Sequence, residues 1–199
     1  MSRALDRRQA LKMLGAAAGL PLSRLAAKEK LLQIGSPPRN APNVLFIMTD
    51  DQRQDAMSAY GNPILKTPNM DRIAAGGIRF TEAFVTNSLC APSRASILTG
   101  LYSHAHGVIT NGAGPMFRNQ PGLKEDQTTF VHLLRQAGYH TALIGKWHLR
   151  SSPSGFDQWL VLPGQGAYND PEMIAGGFRV KMRGHVDDVL GDQALTFLR

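Results

Sequence analysis

The stretch Cys90-Ala91-Pro92-Ser93-Arg94 places the only cysteine of the 199-residue chain four positions before an arginine. A lone cysteine can neither pair within the chain nor build a thiolate metal cluster. With the continuation Ala95-Ser96-Ile97-Leu98-Thr99-Gly100, the string predicts a short helix with proline in its first turn and glycine past its end. A residue at such a helix start faces unpaired N–H groups and the positive end of the helix dipole. Anions settle there, and a thiol placed there ionises more readily. The same residue also suits a small buried apolar position, the usual state of a free cysteine. The surrounding sequence has to decide between the two.

Two further groups carry chemistry. Asp50-Asp51 closes an apolar run, and adjacent carboxylates repel one another unless a cation or strong donors compensate them. Hard divalent ions such as Ca²⁺ or Mg²⁺ take this kind of oxygen ligand, although a solvated turn or helix cap uses the same pair. Gly145-Lys146-Trp147-His148-Leu149 sets an ammonium and an imidazole two residues apart. A strand would turn both to one face, where they suit an anionic substrate and a proton-transfer step. Two surface residues flanking a core tryptophan would read the same way. His104 and His106 sit in a polar, glycine-rich stretch from Leu101 to Gln127, where surface positions are the default.

The elements that must position these groups follow from pattern. Val44-Leu45-Phe46-Ile47-Met48 is a continuous apolar run of the kind shown by a strand buried on both faces. A helix is predicted from Thr67 to Gly77, a strand from Ile78 to Val85, a helix from Thr129 to Ala137 and a strand from Tyr139 to Ile144. Strand, helix, strand, helix, strand predicts a parallel α/β sheet, with Asp50, Asp51, Lys146 and His148 at strand ends on one side. Further on, Leu160 to Gly166 reads as a loop, Arg179 to Arg183 as a short strand and Val186 to Arg199 as an amphipathic helix. The sequence holds no P-loop, no dinucleotide glycine motif, no internal repeat and no membrane-spanning run.

Composition bounds the function classes. Hydrophobic residues make up 43% and charged residues 19%, a globular balance. The formal charge of +7 invites a nucleic-acid reading, but eight of the 22 basic residues and only two of the 15 acidic ones lie in residues 1–42. The leader therefore carries +6 and the rest +1, which removes the main support for nucleic-acid binding. Residues 1–27 have a basic start, a short apolar run from Met13 to Leu22 and small residues after it, which is the layout of an export signal rather than a stable membrane anchor. Asp6-Arg7-Arg8-Gln9-Ala10-Leu11-Lys12 resembles a twin-arginine signal, with alanine where phenylalanine is frequent, and predicts a periplasmic or extracellular location. Residues 28–42 read as a linker, and a catalytic domain is expected over 43–199.

Four segments together resemble the type I sulfatase family: Asn43 to Gln52, Thr67-Pro68-Asn69-Met70-Asp71, Cys90 to Gly100, and Gly145-Lys146-Trp147-His148-Leu149. The resemblance implies an alkaline-phosphatase-like α/β fold, a mostly parallel sheet flanked by helices, and hydrolysis of sulfate esters. It implies that a formylglycine-generating enzyme oxidises Cys90 to 3-oxoalanine (formylglycine). One hydroxyl of the hydrated aldehyde attacks sulfur, and the other loses its proton as sulfate is expelled. By the same resemblance Asp50, Asp51 and the converted Cys90 hold Ca²⁺ or Mg²⁺, Arg94 supports the nucleophile, Lys146 neutralises sulfate and His148 takes part in proton transfer. Family members are usually more than twice this length, so the sequence is expected to be the N-terminal part of such a domain, truncated at its C-terminus and inactive by itself.

The segments around Cys90 are similar to those of glycan sulfatases, including N-acetylglucosamine-6-sulfatases, which implies a sulfated carbohydrate as substrate partner. A phosphonate or phosphate monoester hydrolase of the same superfamily and a non-catalytic binding fragment are the alternatives. A thiol phosphatase is disfavoured, because its anion loop needs cysteine and arginine six apart.

Overall fold

The computed structural model describes residues 40–112 and 121–199, so the expected export signal and almost all of the expected linker lie outside the described residues. The described chain forms two compact units, Asn40–Val85 and the chain from Thr86 onward.

The smaller unit is built on helix α1, Pro68–Gly76, with proline at its start as its sequence predicts. Asp71 anchors it. Its carboxylate accepts from the Ser58 hydroxyl (2.6 Å), the Ala59 N–H (2.8 Å) and the Thr67 hydroxyl (3.0 Å), which ties α1 to a 3-10 turn at Ser58–Tyr60. The Ser58 bond, helped by Thr67 and Ala59, holds the Asp71 carboxyl below its ordinary value against a smaller effect of burial. The Arg79 guanidinium lies over the Tyr60 ring at 5.1 Å, and the Tyr60 hydroxyl donates to the Phe80 carbonyl. Side chains therefore hold the 78–85 segment where a strand is expected, and no ladder forms there. Residues 44–48 are likewise no strand, and Val44, Leu45, Phe46 and Ile47 are all more than half exposed. The reason is pairing: a strand persists only beside another strand, and this unit contains none.

The larger unit opens with α2, Cys90–Thr99, closed by Gly100 at φ 70°, followed by a one-turn helix α3, Ser103–His106. Helix α4, Phe130–Gln136, is capped by Thr129, whose hydroxyl and N–H both meet His132 Nδ1. Strands β1 (Ala142–Lys146), β2 (Gln158–Leu162), β3 (Glu172–Ala175) and β4 (Phe178–Lys181) form one sheet in that order, and α5, Val186–Leu198, completes the unit. Only β1 and β2 run parallel, with Lys146 opposite Leu162; the other two pairings are antiparallel. The described sheet is thus mixed where a mostly parallel one is expected. A direct turn at Gly176-Gly177, both at positive φ, joins β3 to β4 and forces their antiparallel sense.

β2 corrects the loop expected at Leu160–Leu162. Val161 packs into one core with Ala91, Ala95, Trp147 and Leu149, while Leu160 and Leu162 pack into a second with Met173 and Val186. Side chains that alternate between two cores produce an unbroken apolar run in the sequence. Asp157 locks the start of the parallel pair. Its Oδ2 accepts from the Thr141 N–H (2.9 Å) and hydroxyl (3.0 Å), and its Oδ1 accepts from Arg135 Nε (2.8 Å). Burial pushes this carboxyl up, but the Thr141 donors, then Arg135 and His140, outweigh it and leave the pKa below 3.8. The stabilisation is therefore complete above that value and lost as pH falls through the lowered one. Asp157→Ala should cost about 2 kcal/mol in urea unfolding at neutral pH, because Thr141 is buried and would keep an unmet N–H. The loss should shrink when the unfolding is repeated in acid.

Candidate anion site at the start of α2

Cys90 is the first residue of α2 and is half-buried. The helix start is met in a specific way. Ser93 N–H bonds back to the Leu89 carbonyl at 2.9 Å, Pro92 has no N–H, and the Ala91 N–H donates to Asn111 Oδ1 at 2.8 Å. Asn111 thus occupies one of the orphan donors of the first turn and fixes the approach to Cys90. Its place in a polar loop carries no pattern that marks it in the sequence.

The alanines explain why the helix can lie so close to the rest of the unit. Ala91 and Ala95 are buried on one face, against Trp147 and Leu149. Trp147 meets Phe156 edge-on, with ring centroids 6.2 Å apart, and its indole N–H donates to the Ser151 carbonyl at 2.6 Å. Leu149 is fully buried, and its carbonyl accepts from the Leu123 N–H at 3.0 Å. A side chain at Gly122 would stand 2.2 Å from that carbonyl, so only glycine permits this crossing.

Arg94, one turn into α2, donates from Nη1 to the Lys146 carbonyl at 2.6 Å. Lys146 ends β1, and its Nζ lies 3.6 Å from Cys90 Sγ and 2.5 Å from Gln165 Oε1. The fold therefore brings Lys146, more than 50 residues further along the chain, to Cys90 and Arg94 at the positive end of one helix. Gln165 joins them from the turn after β2, a residue that carries no sequence signal beyond its flanking glycines. His148 lies beyond the end of β1 rather than on it, at φ 58°. Burial nevertheless alternates there: Gly145, Trp147 and Leu149 are buried, while Lys146 and His148 lie on the more open side. A left-handed histidine with a left-handed Arg150 (φ 60°) two residues later marks a backbone held in a costly conformation.

The other candidates are placed differently. His106 is buried, with Nδ1 accepting from the Val108 N–H (3.1 Å), so its Nε2 carries the proton and donates to the Ser96 hydroxyl (3.0 Å). It is a brace between α2 and α3. His104 is exposed and stacks on Tyr102, with centroids 6.0 Å apart. Burial pushes the His106 pKa below 6.5, with a lesser contribution from His104. A lowered histidine pKa means stability present above 6.5 and lost as pH falls through the lowered value. We expect the melting temperature of the chain to drop between about pH 7.5 and about pH 5.5, and His106→Gln to flatten that slope.

In the smaller unit, Asp50 and Asp51 are adjacent and exposed, with Asp51 at φ 51°. Residues 40–85 contain no histidine or cysteine, and the donors that Asp50 and Asp51 offer are carboxylate oxygens. That donor set fits a hard cation such as Ca²⁺ or Mg²⁺ rather than a thiophilic metal.

A family model described as Sulfatase matches residues 42–199. An N-acetylglucosamine-6-O-sulfatase from Bacteroides thetaiotaomicron is 44% identical over 185 residues, covering 90% of this chain and 31% of the relative. Human arylsulfatase A is 39% identical over 137 residues, 69% of this chain and 26% of the relative. A protein solved in complex with its substrate, D-glucosamine-2-N,6-O-disulfate, superposes with a TM-score of 0.73 at 48% identity, over 79% of this chain and 31% of that one. The chain thus spans about a third or less of the length of these relatives, and its mixed sheet with flanking helices is part of their alkaline-phosphatase-like fold.

Proposed function

This chain belongs to the sulfatase family, and from that premise we propose that it carries the nucleophile end of a formylglycine-dependent sulfuric ester hydrolase. The observation that carries the reading is the Lys146 ammonium 3.6 Å from the sulfur of Cys90, at the start of a helix. Once oxidised to formylglycine and hydrated, Cys90 supplies one hydroxyl to attack sulfur and a second whose deprotonation expels sulfate. The start of α2 favours an anion beside it. Lys146 offsets charge on the sulfate oxygens as the ester S–O bond breaks. Arg94, bonded to the Lys146 carbonyl, holds the helix and the strand end in register. His148, presented from the strained turn, takes the proton from the second hydroxyl. Asp50 and Asp51 would hold the divalent cation, which when bound acts as a Lewis acid toward the sulfate group.

The substrate class we propose is a 6-O-sulfated glucosamine or N-acetylglucosamine, supported by the N-acetylglucosamine-6-O-sulfatase match and by the glucosamine disulfate substrate of the solved complex. We further propose export by the twin-arginine-like leader, and turnover only when these residues work within a chain of full family length. The direct test is the mass of the Cys90 peptide after co-expression with a formylglycine-generating enzyme. Conversion of CH₂SH to CHO lowers it by about 18 Da. A wholly unmodified cysteine would sink the proposal. As a second arm, residues 43–199 replace the matching segment of the N-acetylglucosamine-6-O-sulfatase relative. Release of sulfate from N-acetylglucosamine-6-sulfate is expected from the chimera and not from the 199-residue chain.

A further inference from the structure

Lys146 has a long flexible stem, and an ammonium on such a stem wanders unless it is tethered. Here its Nζ is 2.5 Å from the side-chain carbonyl oxygen of Gln165. The placement of Gln165 is built, not incidental. Because β1 and β2 are parallel with Lys146 opposite Leu162, the residues that follow Leu162 emerge beside Lys146. The chain then turns sharply, with the Gly166 N–H donating to the Pro163 carbonyl at 3.0 Å. Gly164 and Gly166 take φ of 60° and 79°, and a side chain at Gly166 would come within 2.8 Å of Leu162. The two glycines thus aim the one side chain between them.

We propose that Gln165 is a positioning residue of the anion site, holding the Lys146 ammonium beside Cys90 without neutralising it. The amide is the suitable group for that task. A carboxylate at the same point would tether the ammonium equally well, but it would pair with the charge and repel an incoming anion. The neutral carbonyl accepts a hydrogen bond and adds no negative charge of its own. The inference rests on the sulfate-ester reading only for which anion is bound.

The single cysteine makes a direct test available on the 199-residue chain. Cys90 is alkylated with anionic iodoacetate and, separately, with neutral iodoacetamide, at one pH and low ionic strength. The same thiolate sulfur attacks the CH₂ carbon of either reagent and displaces iodide, so the ratio of the two rates cancels the thiol's exposure and reactivity and reports the local charge. Lys146→Met is expected to lower the ratio roughly fivefold, the size of one screened unit charge a few ångströms away. Gln165→Ala should lower it by about threefold as the ammonium leaves the sulfur, and Gln165→Glu should lower it as far as Lys146→Met.

Gln165→Glu is nearly isosteric, so it decides the matter if the alanine variant fails to fold. Parental ratios in both Gln165 variants would overturn the proposal, as would a parental ratio in Lys146→Met. The formylglycine reading fails on a different measurement, the mass of the Cys90 peptide. A charge ratio that responds to Gln165 beside an unconverted cysteine would keep the positioning role and discard the sulfatase role.

Discussion

Cys90→Ala is expected to reduce release of sulfate from N-acetylglucosamine-6-sulfate by at least about 10³-fold in the chimera described above. The variant removes the thiol whose oxidation turns the β-carbon into an aldehyde and leaves an unreactive methyl group, so no nucleophile can form at that position. What remains is the positive end of α2 and Lys146, which stabilise charge but cannot attack sulfur. The effect should fall on kcat, while affinity for the sulfated sugar changes little, because the cations that meet the anion are still present. Alanine is compatible with helix α2, whose first two turns already pack Ala91 and Ala95. The melting temperature should therefore stay within a few degrees of the parent. Retention of more than about a tenth of the parental kcat would show that Cys90 is not the source of the nucleophile.

The largest expected change in stability comes from Leu149→Ala. Leu149 is fully buried and packs in the core that joins Ala91 and Ala95 of α2 to Trp147 and Val161. Truncation leaves a cavity that this core closes only partly, which costs about 2–5 kcal/mol. Against the usual total of about 5–15 kcal/mol for a domain, the loss should be plain as a lower urea midpoint. The site should suffer with it, since Leu149 follows His148 directly and its carbonyl pins Leu123. The check is to compare Leu149→Ala with Leu149→Met by urea unfolding and by the charge ratio at Cys90. Methionine keeps most of the volume and should cost less than about 1.5 kcal/mol. Equal stability of the alanine variant and the parent would mean that this crossing does not hold the site together.

Several elements were legible because their signals are local. Pro68 and Pro92 in first turns, Gly100 past α2, and Thr129 before α4 each act within one turn of chain. The apolar spacing of α5 belongs to the same class. Strands were less legible, because a strand is a property of a pair. Val44–Met48 has a strand's composition and forms no ladder, whereas Leu160–Leu162 reads as loop beside Pro163-Gly164 and belongs to β2, the parallel partner of β1. His106 looked like a surface histidine and is buried, because α3 is too short to show a periodic face.

For the site, the sequence by itself determined which chemistry is available: one cysteine at a helix start, Arg94 a turn later, Lys146 and His148 after an apolar run, and an aspartate pair. Those are residue types and short spacings, and they survive any folding of the rest. The tertiary structure alone decided that Arg94 would bond the Lys146 carbonyl and that the ammonium would stand beside the sulfur. It also brought in Asn111 and Gln165, which no spacing connects to Cys90. The physical reason is that a contact between residues from 19 to 56 apart depends on strand register and on close backbone crossings. Those are set by the whole core, here by Ala91, Ala95 and Leu149 packing together and by Lys146 standing opposite Leu162.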